Sequence, residues 1–338
     1  MKTDDVLMKL SDSFGPSGYE DEVLNLIEES IKDDVDEIIR DSLKNLIALK
    51  RGNGKKKIAI FTHVDEIAFL ISSIDERGFA RVEMIGGVDP KVIISQKVII
   101  KSRDGKIRKG IFGMLAPHLQ NNETRKKIPD YSSLFLDVSM NADWKDIKVG
   151  DLVGVDTKAV KLADLVCGKA MDNRACVLVN MLLAKELNKY SSHPDVYHVF
   201  NTQEEVGLIG ATVSSQRIDP DLAIVMDVTF HDPETDVKIG GGPAISVGGP
   251  NVDKNYYKKL TKYASNNDFK FQYEVANGRS GSDADAVQLA GKGIPTLLLS
   301  IPIKYMHTPV EIVGVKDIEN TAKLLAGFLY SLTEEGEN

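Results

Sequence analysis

The sequence has few cysteines, no long apolar run and no excess of positive charge. Its 338 residues include only Cys167 and Cys176, which excludes a disulfide framework and a cysteine-rich zinc site and favours the cytoplasm. No apolar run approaches the ~20 residues of a membrane-spanning helix, and the N-terminal MKTDDVLMKL lacks the apolar core of a signal peptide. A net charge of -8 argues against nucleic acid as the partner. We therefore expect neither membrane nor nucleic-acid binding.

The pattern of apolar residues divides the chain into two parts. Residues 1–66 and 163–338 alternate between amphipathic helices and continuously apolar strands, which predicts an α/β sheet covered on both faces. Ser17 is expected to cap the second helix. Residues 67–162 contain short β-type runs separated by turns, with almost no helical periodicity. We predict an α/β domain interrupted by an inserted small β-barrel or sandwich.

Metal-ligand types of side chain follow several of the apolar strands in the α/β part. Loops at the carboxyl ends of such strands are where α/β proteins place their sites. Each residue has an ordinary interpretation by itself, as a loop histidine, a helix cap or a solvent-facing acid. Their repeated occurrence after apolar strands is harder to explain in this way, because unpaired carboxylates are costly to bury. The candidates are His63, Asp65, Asp172, Glu204, Glu205, Asp227 and His307.

The candidate ligands are imidazole nitrogens and carboxylate oxygens, which suit a catalytic zinc, cobalt or manganese site. Two metal ions need about five protein ligands if one carboxylate bridges them. Two histidines and three acids satisfy this count and leave one glutamate to move protons during hydrolysis. Because adjacent strand residues point to opposite faces, Glu204 and Glu205 are expected in a turn or bulge, and the following Gly207 agrees with this.

In the order and spacing of its motifs, the chain resembles the M42 family of metal-dependent aminopeptidases. The resemblance runs nearly end to end and implies a zinc-peptidase-like mixed sheet with helices on both faces, plus an inserted small β-barrel domain. The matching stretches are GPSGYEDEV, DSLKNLIALKRG, THVDEIAF, GKAMDNRA, TQEEVGLIGA, MDVTFHDP, GGGPAI and SGSDADAVQLAGKGIPTLLLSIPIKYMHTPVE.

The resemblance also implies a role for each candidate residue. It implies two divalent metal ions per subunit, with zinc expected and cobalt as the alternative, and a cis peptide bond after the bridging aspartate. The implied roles are His63 and Asp227 on one ion, Glu205 and His307 on the other, Asp172 bridging both, Glu204 as general base, and Asp65 orienting the ring of His63.

The activity implied by the resemblance is removal of the N-terminal residue from short peptides. The family also implies homo-oligomers, namely dimers through the inserted domain that often assemble into tetrahedral twelve-subunit particles. His118, in the stretch MLAPHLQNNETRKK, has two interpretations: an ordinary loop histidine of the inserted domain, or a residue that reaches the active site of a neighbouring subunit in such an assembly. The preferred N-terminal residue stays open among acidic, apolar and basic side chains.

Three other functions remain open at this point. Paired acids can serve glycoside hydrolysis, and some M42-like proteins carry a cellulase label, but His63 and His307 would then have no role. A deacylase or carboxypeptidase could use the same two-metal core. A non-catalytic, metal-stabilised scaffold is the third alternative, and the presence of Glu204 argues against it.

Overall fold

The computed structural model describes residues 2–52, 56–121, 126, 130–231, 236–249, 252–276 and 278–334. Within those ranges, no helix combines the length and the apolar character needed to span a membrane. The helices are α1 Thr3–Asp12, α2 Asp21–Ile31, α3 Pro90–Ile93, α4 Met171–Glu186, α5 Ile209–Ile218, α6 Lys254–Asn266, α7 Ala284–Val287 and α8 Val315–Glu334. The strands are β1 Glu37–Arg40, β2 Leu46–Lys50, β3 Lys57–His63, β4 Ala68–Ile74, β5 Phe79–Ile85, β6 Lys97–Lys101, β7 Ile107–Phe112, β8 Leu136–Asp137, β9 Leu152–Val155, β10 Val160–Leu162, β11 Leu165–Gly168, β12 Asp195–Asn201, β13 Leu222–Phe230, β14 Ala244–Gly248, β15 Gln272–Ala276, β16 Thr296–Lys304 and β17 Glu311–Gly314.

A large mixed sheet forms the centre of the α/β part. Its strand order is β1-β2-β12-β3-β13-β16-β17-β11-β10, and β14 joins it by pairing with both β16 and β15. The four central strands β12, β3, β13 and β16 are parallel. Their carboxyl ends therefore meet at one edge, where the last residue of β3, His63, lies beside Asn201 of β12.

Helices cover both faces of this sheet, as the sequence predicts. Side chains alternate along β3, so Ile58 and Ile60 pack into a core shared with α1, α2, α4 and α8. Ala59 and Phe61 face the opposite side and pack with residues of α5 and α7. A strand buried on both faces must be continuously apolar, which explains the run that precedes His63.

The predicted β-barrel is present as a closed barrel of strands β4-β5-β8-β7-β6-β9. Phe69, Ile100, Phe112 and Val153 are among the buried residues of its core. These strands run from β4 to β9, within the predicted segment 67–162. β10 also falls in that segment but pairs with β11 of the large sheet. The division into 1–66, 67–162 and 163–338 stays a prediction.

The barrel connects directly to the carboxyl end of β3. Only residues 64–67 separate β3 from β4. Phe14 packs at this junction with Ala68, Ile85 and Leu152, so the segment between α1 and α2 contacts the barrel. The edge of the sheet that carries the predicted site is thus bordered by the barrel and by this segment.

Helix α4 supplies a direct test of the core. Leu183 is fully buried against the sheet, whereas the adjacent Leu182 is only partly buried. We expect Leu183→Ala to lower the free energy of unfolding by about 2–5 kcal/mol, because it removes buried methyl groups and leaves a cavity. Leu182→Ala, the matched control, is expected to cost clearly less. Urea unfolding of both variants measures the difference, and equal losses would contradict the assigned burial.

Candidate functional site

The carboxyl-end edge of the sheet brings together the predicted metal-ligand side chains from five separate segments. They line one cleft with a volume of about 350 Å³. Its lining includes His63 from β3, Asp172 at the start of α4, Glu204 and Glu205 after β12, Asp227 in β13, and His307 after β16.

The carboxylate of Asp172 lies between the two histidines. Its Oδ1 is 3.2 Å from Nε2 of His63, and its Oδ2 is 3.3 Å from Nε2 of His307. Asp172 opens α4 with non-helical backbone angles, and the Asp172-Asn173 peptide bond is cis, as expected from the resemblance. Each oxygen of this one carboxylate therefore faces a different imidazole.

The remaining acids divide between the two histidines. Asp227 Oδ1 is 3.8 Å from Nε2 of His63, and Glu204 Oε2 is 4.0 Å from the same atom. Glu205 Oε1 is 3.4 Å from Nε2 of His307. Three overlapping groups of possible ligands result: His63, Asp172 and Asp227; Asp172, Glu205 and His307; and His63, Glu204 and Glu205.

These separations fit a divalent metal ion. Two ligands at ~2.0–2.2 Å from one tetrahedral ion lie ~3.3–3.6 Å apart. The distances from the two imidazoles to Asp172, Glu205 and Asp227 are 3.2, 3.3, 3.4 and 3.8 Å. The ligand types, neutral imidazole and carboxylate, are those that zinc, cobalt and manganese accept. The cluster could therefore hold metal.

Asp65 links the first histidine to the two glutamates. It is fully buried, and its Oδ1 lies 3.4 Å from Nδ1 of His63. The backbone N–H groups of Glu204 and Glu205 donate to Oδ1 and Oδ2 of Asp65 at 3.0 and 3.1 Å. The hydroxyl of Ser17 donates to Oδ2 at 2.6 Å. One carboxylate thus lies beside an imidazole ring and holds the backbone of the glutamate pair.

The second histidine is oriented from the barrel side. Nδ1 of His307 lies 2.9 Å from the carbonyl oxygen of Gly87, which can only accept, so Nδ1 carries the proton and donates. The barrel segment between β5 and β6 supplies this carbonyl. Nε2 of His307 consequently faces Asp172 and Glu205, where a cation could be bound between them.

Glu204 and Glu205 lie in a turn, as predicted. β12 ends at Asn201, and the turn that follows contains Gln203 with φ 59° and Gly207 with φ 122°. Residues with positive φ reverse the chain sharply. Both glutamate side chains can therefore face the cleft, which adjacent positions in a regular strand would prevent.

Burial and crowding favour protonation in this cluster. Burial is the main reason that the pKa of Glu204 is raised to about 10, and the nearby Asp227 carboxylate raises it further. Hydrogen bonds with Asp172 and Glu205 raise the pKa of His307 to about 11. Metal ligands must be deprotonated, so a bound divalent cation would take the place of these protons.

Sequence reasoning gave no role to Glu311, although it closes the quoted stretch ending KYMHTPVE. This glutamate is buried at the start of β17. Its Oε2 accepts from the backbone N–H of Asp172 at 3.1 Å, and its Oε1 accepts from that of His307 at 2.7 Å. Glu311 therefore holds the backbones of two candidate ligands in place.

The expectation for Ser17 is wrong. Helix α2 begins at Asp21, with Glu20 at the capping position. Ser17 instead bonds to Asp65, while Glu20 Oε1 accepts from the backbone N–H of Gln203 at 3.1 Å. The segment before α2 thus supports the site rather than the helix.

His118 lies away from this cluster in the present chain. It is exposed in a short 3-10 helix, Pro117–Leu119, in the barrel segment, and it is not among the residues that line the cleft. Its suggested action across subunits stays a prediction.

Comparison with known proteins places this site in context. The profile of the M42 glutamyl aminopeptidases matches residues 44–324. Over 341 residues the chain is 33% identical to the lysyl aminopeptidase of Pyrococcus furiosus, covering 97% of each chain. It is similar to the TET aminopeptidase of a marine sediment archaeon of the Thaumarchaeota, with TM-score 0.92, 27% identity and 99% of each chain covered. It is also similar to the TET1 peptidase of Pyrococcus horikoshii, with TM-score 0.87, 29% identity and coverage of 97% and 99%.

The central position of Asp172 gives a prediction for metal binding. We expect the purified chain to bind Zn²⁺ or Co²⁺, and Asp172→Ala to weaken binding more than tenfold, since Asp172 belongs to two of the three ligand groups. Asp33→Ala, at an exposed position beyond α2, serves as the control. Equilibrium dialysis followed by elemental analysis measures the bound metal. Equal binding by the two variants would exclude this cluster as the metal site.

Proposed function

This chain belongs to the M42 glutamyl aminopeptidase family, and on that premise we propose that it removes the N-terminal residue of short peptides at a two-metal site. The family consists of peptidases, so the chain is a peptide-hydrolysing enzyme. The observation that carries the two-metal proposal is the position of Asp172, whose two oxygens face two different histidines at 3.2 and 3.3 Å. A carboxylate in this position can bridge two cations.

The proposed ligands follow the two groups that share Asp172. His63 and Asp227 would hold one ion, and Glu205 and His307 the other. Zinc is the expected metal and cobalt the alternative, because both accept the same nitrogen and oxygen ligands. The positions of the two Nδ1 atoms support this assignment, because Nδ1 of His63 lies on the side of Asp65 and Nδ1 of His307 donates to the Gly87 carbonyl, so each Nε2 faces the cluster.

When bound, the two ions supply Lewis acidity, which polarises the peptide carbonyl and lowers the pKa of water from ~15.7 towards ~7. Glu204 remains as the carboxylate outside the two groups that share Asp172. We assign it the role of general base, which takes a proton from the attacking water and passes it to the departing amine. Its backbone is held by Asp65, so the side chain starts from a fixed position in the cleft.

The alternatives are less well supported. A glycosidase would leave His63 and His307 without a function, although both converge on one carboxylate. A deacylase or carboxypeptidase is compatible with the metal cluster but not with the aminopeptidases that the chain resembles over most of its length. A scaffold without catalysis has no need for the additional glutamate.

We also propose that the chain forms homo-oligomers. The TET1 peptidase of Pyrococcus horikoshii can assemble into a tetrahedron or an octahedral shell. Met114, Leu115 and Leu119 are exposed on the barrel segment near His118, and clustered apolar side chains of this kind are typical of interaction surfaces. Dimers through the barrel, assembled into twelve-subunit particles, would bury these residues and give His118 its predicted place near another subunit's site.

The function is tested with chromogenic aminoacyl substrates and their N-acetylated forms. We expect cleavage only of substrates with a free amine, loss of activity after chelation, and recovery on adding Zn²⁺ or Co²⁺, because the proposed ions act as Lewis acids. Kinetics before and after chelation measure this. Cleavage of acetylated substrates would indicate the deacylase alternative, and no turnover under any metal condition would contradict the proposal.

The two adjacent glutamates allow base and ligand roles to be separated. We expect Glu204→Gln to lower kcat by roughly 10²- to 10⁴-fold while metal content is retained, since a general base contributes about that much. Glu205→Gln is the matched comparison and is expected to lose metal from one position. Steady-state kinetics and elemental analysis of both variants give the answer. Loss of metal by Glu204→Gln would assign that residue as a ligand instead.

A further inference from the structure

One further carboxylate lines the same cleft. It does not belong to the cluster of candidate metal ligands, here called the metal-type cluster (His63, Asp172, Glu204, Glu205, Asp227 and His307). Glu274, in β15, is half-buried and contributes to the lining beside the candidate ligands. Its Oε1 accepts a hydrogen bond from the hydroxyl of Thr229, and its Oε2 lies 3.5 Å from the hydroxyl of Ser246. Each oxygen of Glu274 is therefore approached by one hydroxyl group.

These contacts hold Glu274 between three strands. Thr229 belongs to β13 and Ser246 to β14, where Ser246 is the register partner of Glu274. Both hydroxyl residues are buried. A carboxylate offers about four acceptor positions, of which two hydroxyls occupy two. Within the described part of the chain, Glu274 forms no ion pair with a lysine or arginine, so its charge is available to a bound ligand.

The spacing of residues along β13 shows how far Glu274 lies from the candidate metal ligands. Thr229 follows the candidate ligand Asp227 by two positions in that strand, so the two side chains lie on the same face, ~7 Å apart along it. Glu274 is bonded to Thr229 and therefore lies about one long side chain away from the metal-type cluster. Lysine and arginine have stems of this order of length.

The other walls of the cleft suit the stem of such a side chain. Leu298 and Met306 line it along with Glu274. Lysine and arginine place their methylene groups along apolar surface while the charged end reaches a polar partner. The cleft offers both apolar side chains and a fixed carboxylate, which is what such a side chain requires.

We propose that Glu274 binds the positively charged side chain of the substrate's N-terminal residue, so that the enzyme prefers peptides that begin with lysine or arginine. This inference rests on the proposed aminopeptidase function. The family description does not decide the question, because its name refers to glutamyl substrates while the Pyrococcus furiosus relative is a lysyl enzyme.

Arg279 also lines the cleft and would favour acidic side chains. It is exposed, however, whereas Glu274 is half-buried. Water and salt screen an exposed charge more strongly, so the interaction of a substrate with Arg279 is worth less than one with the fixed carboxylate. The basic preference therefore follows from the relative burial of the two groups.

The test compares lysyl, arginyl, norleucyl and glutamyl p-nitroanilides. Norleucine matches the lysine stem but lacks the amine, so the ratio of kcat/KM for lysyl over norleucyl substrate isolates the charge. We expect this ratio to exceed one in the wild type and to fall roughly 10- to 100-fold in Glu274→Gln, mainly through KM, since a partly buried charge pair is lost. Glu83→Gln removes one exposed charge in β5 of the barrel and is expected to leave the ratio unchanged.

The outcomes separate this inference from the function on which it rests. A wild-type preference for glutamyl or norleucyl substrate, or an equal loss on all substrates in Glu274→Gln, would overturn the assignment while leaving an aminopeptidase. Absence of turnover on every substrate with metal present would overturn both. Should Glu274→Gln fail to fold, the wild-type ratio and its decrease with added salt still decide, because only a charge interaction is screened by salt.

Discussion

The buried carboxylate of Asp65 is the interaction on which the arrangement of the site depends. It faces the ring of His63 and accepts both backbone N–H groups of the glutamate pair. It also receives the hydroxyl of Ser17. A fully buried carboxylate is costly unless it is hydrogen-bonded, so the three donors stabilise Asp65 as much as Asp65 orders them. The end of β3, the turn after β12 and the segment before α2 are thereby held at one point.

The second half of the cluster is organised by different partners but on the same principle. Glu311 accepts the backbone N–H groups of Asp172 and His307, and the carbonyl of Gly87 accepts from the ring of His307. Gly87 belongs to the barrel segment, while Glu311 belongs to the large sheet. The barrel segment therefore contacts one of the candidate ligands, and its position relative to the sheet determines the orientation of the His307 imidazole. A displaced barrel would change the direction in which His307 presents Nε2.

The sequence predicted those features that depend on local pattern. The apolar run is directly followed by His63, and the acids after β12 are followed within two residues by Gly207, so each pattern is local. The structure brings His63, Glu204 and Glu205 together in one cleft. The short β-type runs likewise predicted the barrel. Family resemblance added an expectation that spacing alone leaves open, namely Glu205 as a metal ligand and Glu204 as the general base, and this assignment stays a prediction.

The partners of the ligands were not predictable, because they are distant in the chain. Ser17 is 48 residues from Asp65, Glu311 is 139 residues from Asp172, and Gly87 is 220 residues from His307. A serine shortly before the acids Glu20 and Asp21 has the local appearance of a cap, and no local feature indicates that a carboxylate elsewhere requires its hydroxyl. The same holds for Glu274, whose surroundings on β15 show no sign of the hydroxyls of Thr229 and Ser246.

Strand β13 links the candidate metal ligands to the proposed binding site for the substrate side chain, and the two can vary separately. Asp227 faces the metal-type cluster, and Thr229, on the same face, bonds to Glu274. Substitution of the acid on β15 would alter the charge of the cleft without changing any of the five candidate ligands, since among the described residues none of them forms a hydrogen bond or ion pair with Glu274. Related enzymes could therefore differ in the side chain they accept while they retain one hydrolytic centre. If Glu274 has the proposed role, specificity would depend on the strand edge next to β14, and the reaction on the strand ends around β3.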